Sequence, residues 1–193
     1  PDPRGSTGHG RDYQQALRGR WGELDVSDTA AVLASSHERG WSSPERTVMM
    51  GGSSGGLTAL GVLGRHHGLA ACGAVSYPVA DHRVLPEKSH RYEAHYTLTL
   101  VGPLEDVDRY LELSPISYAD QIDVPLLVLH GDSDPVVPVE STLELVDRMR
   151  SAGRDVELVV FEGEGHGFRD PENTRAEYAR IGEFLERVIG GAG

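Results

Sequence analysis

Apolar residues along the 193-residue chain recur at two spacings, and the alternation between them predicts the architecture. Short aliphatic runs bounded by turn residues predict buried strands at 47–50, 70–77, 124–129 and 156–161. Between and around them the apolar spacing becomes helical. Val26, Ala30, Leu33, Ala34 and His37 share one face of a helix capped by Asp25 or Ser27 and stopped by Gly40. Leu57, Leu60, Gly61 and Gly64 mark a second helix ending near Gly68, and a third runs from Val139 or Ser141 to Ala152. A last helix over 171–189 stacks Thr174, Tyr178, Ile181, Leu185 and Val188. Strands alternating with helices predict an α/β fold, a mostly parallel sheet with helices on both faces, in one domain over 1–193.

Charge narrows the partners. A formal net charge of −12 repels phosphate backbones and anionic lipid, so neither nucleic acid nor a membrane is expected as a partner, and a small or peptide-like substrate fits better. Cys72 is the single cysteine and lies in an apolar run, so an internal disulfide is impossible and a core position is expected. No stretch approaches the roughly 20 apolar residues that span a bilayer. A cytoplasmic location is expected, with any targeting signal upstream of Pro1 left open.

The chemistry centres on Gly51-Gly52-Ser53-Ser54-Gly55-Gly56, which follows a predicted strand and opens a predicted helix. That context separates a nucleophile elbow from a flexible Gly/Ser linker, because the elbow needs a serine at a sharp strand-to-helix turn with small neighbours. The pattern G-x-S-x-G fits with either serine at its centre. Ser53 leaves more room on both sides and is preferred as nucleophile, with the backbone N–H of Ser54 as an oxyanion donor.

Two further strand ends carry matching chemistry. His130-Gly131-Asp132-Ser133-Asp134 follows the third strand and Gly163-Glu164-Gly165-His166-Gly167 the fourth. Loops at the C-terminal ends of parallel strands converge, and the chain order Ser, Asp, His is that of α/β-hydrolases. Ser53, Asp134 and His166 are therefore the candidate nucleophile, orienting acid and base, with Asp132 the competing acid and a turn-capping role its alternative. No histidine shows zinc-helix spacing and no calcium loop is present, so neither metal nor cofactor is expected.

Together with Arg4-Gly5-Ser6-Thr7-Gly8-His9-Gly10, Gly19-Arg20-Trp21-Gly22, Val137-Pro138 and Ser114-Pro115-Ile116, these motifs resemble the catalytic domain of prolyl oligopeptidase family serine peptidases, in the acylaminoacyl and dipeptidyl aminopeptidase branch. The resemblance implies the α/β-hydrolase fold, the triad Ser53, Asp134 and His166, and cleavage of short units from peptide N-termini. It also implies that earlier sheet strands, an oxyanion-supporting loop and a β-propeller precede this segment, so that the chain is the C-terminal part of a larger domain. A carboxylesterase on the same fold and an inactive or interaction fragment are the competing readings. The segment from Pro78 to Tyr96 leaves the sheet beside Ser53, and Val79, Leu85, Tyr92 and Tyr96 are expected to wall the substrate pocket. The alternative is that they cover the core.

Overall fold

The computed structural model describes residues 2–85 and 96–191, with Tyr96 described through its backbone. Four parallel strands lie in the order of the chain: β1 (Val48–Gly52), β2 (Cys72–Ser76), β3 (Leu126–Gly131) and β4 (Val156–Phe161). Val48 pairs with Cys72, Gly73 with Leu126 and Leu126 with Val156, so all four strands end at the same edge.

Among the described residues the α-helices are α1 (Arg11–Gln15), α2 (Leu24–Glu38), α3 (Ser54–Arg65), α4 (Tyr96–Leu100), α5 (Val107–Leu113), α6 (Val139–Ser151) and α7 (Pro171–Ile189). Alternation along β3 divides the core. Leu126 and Val128 pack with Leu60 and Leu63 of α3, Val26 of α2, and Leu145 and Met149 of α6. Leu127 and Leu129 face the other way, with Cys72, Ala74 and Phe184 of α7. A third apolar cluster lies in the excursion between β2 and β3, where Trp21 and Leu57 meet Val79, Leu85, Tyr110 and Leu113. A fully buried side chain such as Leu60 or Leu145 contributes about 1.5–3 kcal/mol, so these clusters hold the helices on both faces of the sheet.

Two local expectations are corrected. Asp25 does not cap α2; it lies in the first turn, and its carboxylate accepts from the Gly22 N–H at 2.7 Å and the Thr58 hydroxyl at 2.6 Å. It therefore ties α2 to the turn before it and to α3. Burial raises the Asp25 carboxyl, and the bonds from Thr58 and Gly22 oppose that rise. Tyr178 does not join the buried face of α7, being 71% exposed, and Phe184 is buried instead. At 3.6 residues per turn Tyr178 sits about 120° round the helix from Phe184. No described helix is long and apolar enough to cross a membrane.

Candidate active site

The loops that follow β1, β3 and β4 meet at the C-terminal edge of the sheet, where parallel α/β sheets bind ligands. Ser53 occupies the corner between β1 and α3 with φ 54° and ψ −121°, a left-handed conformation rare for a residue with a side chain. Its N–H donates to the Ser76 carbonyl at 3.0 Å, and its own carbonyl accepts from Leu57 and Val79. The corner is possible because its neighbours are small. A Cβ on Gly51 would stand 2.4 Å from the Gly55 carbonyl, and one on Gly56 would stand 2.7 Å from Cβ of Pro78.

The structure brings Ser53, Asp134 and His166 together. Nε2 of His166 lies 2.9 Å from Oγ of Ser53, and Nδ1 lies 2.8 Å from Oδ2 of Asp134. The other Asp134 oxygen accepts from the N–H groups of Val136 and Val137 at 2.8 and 2.9 Å. Burial opposes ionisation of Asp134. Hydrogen bonds to His130, His166 and the two backbone N–H groups outweigh it and hold the carboxyl well below the usual carboxylate range. A stably ionised acid behind an imidazole that touches a serine hydroxyl is the arrangement that makes serine nucleophilic.

Asp132 points elsewhere. Its Oδ1 accepts from the Gly163 N–H at 2.7 Å and the Ser133 hydroxyl at 3.0 Å, so it ties the loop after β3 to the loop after β4. Ser54 is the first residue of α3, where an N–H has no partner within its own helix. Its hydroxyl accepts from Nε1 of Trp21 at 3.1 Å. Val79 and Leu85 are 2% and 7% exposed and belong to the third apolar cluster. Tyr92 and the side chain of Tyr96 lie outside the described residues. Beside His166 an open cleft of about 660 Å³ is bounded by Ser133, Val136, Glu162, Arg169 and Asn173. Among the described residues no three of His, Cys, Asp and Glu are grouped so as to hold a metal ion.

Sequence reasoning missed His130. It is fully buried at the end of β3, with Nε2 donating to the Val137 carbonyl at 3.0 Å and Nδ1 2.9 Å from the Thr142 hydroxyl. Nε2 also lies 3.4 Å from Oδ2 of Asp134. The available signal was a histidine at the end of an aliphatic run, which needs internal partners if the strand is buried.

A parallel sheet with a strained serine at a strand-to-helix corner, followed in chain order by an aspartate and a histidine within bonding distance, defines an α/β-hydrolase. The chain matches the prolyl oligopeptidase family over residues 1–192, and it belongs to that family. It is 32% identical to dipeptidyl aminopeptidase BIII of Pseudoxanthomonas mexicana, over 97% of this chain and 28% of that protein. It is 27% identical to the acylamino-acid-releasing enzyme of Arabidopsis thaliana, over 95% of this chain and 25% of that protein. Among solved structures, puromycin hydrolase superposes with a TM-score of 0.89 at 39% identity, covering 97% of this chain and 29% of that one. A puromycin-hydrolyzing peptidase of Mycobacterium tuberculosis superposes with a TM-score of 0.90 at 32% identity, with the same coverage. The chain thus spans under a third of the length of each of these proteins.

Proposed function

We propose that this chain carries the catalytic residues of a serine peptidase that releases short N-terminal units from peptides through an acyl-enzyme on Ser53. The observation that carries the proposal is the continuous line from Asp134 Oδ2 through His166 to Ser53 Oγ, with bonds of 2.8 and 2.9 Å. In the first step Oγ attacks the scissile carbonyl carbon while Nε2 of His166 takes the hydroxyl proton. The carbonyl oxygen becomes an oxyanion, and the Ser54 N–H is its donor on this side of the corner. Collapse expels the amine, which takes the proton from His166 and leaves an ester on Ser53. Water, deprotonated by the same imidazole, then attacks the ester and frees Ser53.

Amide cleavage is the chemistry the names of the relatives share, whether as dipeptidyl aminopeptidase, acylamino-acid-releasing enzyme or puromycin hydrolase. The test uses the intact protein with a fluorophosphonate probe and with four substrates: an acyl-aminoacyl anilide, a dipeptidyl anilide, puromycin and a simple aryl ester. Labelling at Ser53, lost in Ser53→Ala together with turnover of at least one amide, is expected. A probe that labels Ser54, or turnover confined to simple aryl esters, would overturn the proposal.

A further inference from the structure

Tyr77, the residue after β2, has a backbone that tyrosine rarely adopts and a ring that touches both halves of the site. Its φ is 39°, and Ser53 and Tyr77 are the two non-glycine positive-φ residues among those described. β-Region geometry would carry the chain straight on from β2. The Tyr77 N–H still completes the β2–β3 ladder, donating to the Leu129 carbonyl at 2.6 Å, and the positive φ turns the chain off the strand direction after that bond. Such strain persists only where surrounding structure overdetermines it, and it concentrates at functional sites.

The ring explains what is held. Its centroid lies 4.8 Å from that of the His166 imidazole at an interplanar angle of 61°, an edge contact. A second edge contact, at 5.6 Å and 89°, joins it to Phe168, whose ring packs 4.5 Å from Phe161 at the end of β4. The ring also covers Gly52, where a Cβ would stand 3.1 Å from both Cε2 and Oη of Tyr77. Tyr77 therefore fills the space between the residue before Ser53 and the imidazole that must reach Ser53. Its neighbour completes the fixation. The Ser76 carbonyl accepts from the Ser53 N–H at 3.0 Å, and the Ser76 hydroxyl donates to Glu177 of α7 at 2.6 Å. Burial, followed by Glu177 and Asp134, pushes the phenol up from its ordinary value, so the ring stays neutral beside the imidazole.

We propose that Tyr77 is a positioning residue whose ring sets the distance between His166 and Ser53, with its strained backbone serving to place that ring. The proposal rests on the reading of Ser53 as nucleophile and His166 as base. Misplacement of a reacting group by about 1 Å costs on the order of 10²-fold in rate.

The test compares Tyr77→Phe, Tyr77→Gly and Ser53→Ala in the intact protein, with thermal melts recorded for each. Phenylalanine keeps the ring and removes the hydroxyl, whereas glycine removes the ring and relieves the positive φ. Tyr77→Phe is expected to retain the parent's kcat. Tyr77→Gly is expected to lower kcat and the rate of fluorophosphonate labelling by about 10²-fold, with KM little changed and a cooperative melt retained. Should the glycine variant lose its melt, Tyr77→Asn, which tolerates the left-handed backbone, carries the same expectation. Parental kcat in the variant lacking the ring, or a Tyr77→Phe as slow as that variant, overturns the proposal. Labelling that persists in Ser53→Ala sinks the nucleophile assignment itself, whatever the Tyr77 variants do. Labelling lost in Ser53→Ala but unaffected by removal of the Tyr77 ring sinks the positioning role alone.

Discussion

Asp134 divides its carboxylate: Oδ2 lies 2.8 Å from Nδ1 of His166, while Oδ1 takes the backbone N–H groups of Val136 and Val137. The division predicts the outcome of Asp134→Asn. The single amide oxygen must serve the two backbone donors, so the amide NH2 turns toward His166. Nδ1 then has to accept, which leaves the ring proton on Nε2, the atom facing Ser53. Turnover is expected to fall about 10⁴-fold while the fold is kept. Steady-state kinetics on the anilides together with a circular-dichroism melt check it. An active Asp134→Asn would move the acid role to another group.

Acid sensitivity is expected from His82, which is fully buried with its ring 4.7 Å from that of Trp21. Among the described residues neither ring nitrogen makes a well-formed hydrogen bond, and the Trp21 backbone offers only a weak one. Burial pushes the imidazole down to about 4, and the Trp21 backbone and Asp81 oppose that fall without cancelling it. Between that value and the unfolded one near 6.5 the unfolded chain binds more protons, so stability is complete above about pH 6.5 and declines as the pH falls toward 4, by about 3 kcal/mol. Asp134 adds to the loss below the ordinary carboxylate range, because its folded value is depressed. Melting temperature followed from pH 7 to pH 4 should show the decline, and His82→Phe should flatten its upper part. A parallel decline in that variant would assign the effect to other groups.

The glycines around Ser53 are not equivalent. Gly51 and Gly56 have no room for a Cβ, whereas nothing lies within 4 Å of one placed on Gly55. Gly51→Ala and Gly56→Ala are expected to destabilise by about 1–3 kcal/mol through forced backbone movement. Gly55→Ala, inside α3, should be neutral or stabilising by up to about 1 kcal/mol. Denaturant midpoints for the three variants decide this, and equal losses at all three positions would contradict the packing described.

Much of this was legible because local chemistry and global fold agree. The last strand and last helix are read at their observed limits: Gly153 and Pro171 bound them, and Asp170 caps α7 by accepting from the Glu172 N–H. The aliphatic run predicts a third strand ending at residue 129, whereas the strand runs to Gly131. A histidine and a glycine resemble a turn in sequence, and the partners that let His130 stay in a buried strand come from Val137 and Thr142. The pattern G-x-S-x-G locates the corner but cannot say which glycines are crowded, since Pro78 and Tyr77 arrive from the end of β2. Asp134 could be preferred over Asp132 because it sits further round the loop. The roles of Tyr77 and Trp21 could not be read, because they depend on ring contacts between segments distant in the chain.

Trp21 gives the last prediction. It is 4% exposed, and its Nε1 donates to the Ser54 hydroxyl at 3.1 Å, linking the turn before α2 to the first residue of α3. A serine at that position could rotate its hydroxyl freely, and the indole holds it in one orientation beside the N–H proposed to face the oxyanion. Trp21→Phe keeps most of the apolar contact and removes the donor, while Ser54→Ala removes the acceptor. If the bond stabilises the corner, the double variant should cost less than the sum of the two single variants, with a coupling of about 1 kcal/mol. The same cycle applied to log kcat should show coupling of the same sign, because a looser α3 start misaligns the Ser54 N–H. Additive losses of stability would mean that Trp21 acts through packing alone, and additive losses in kcat would separate the indole from the reacting centre.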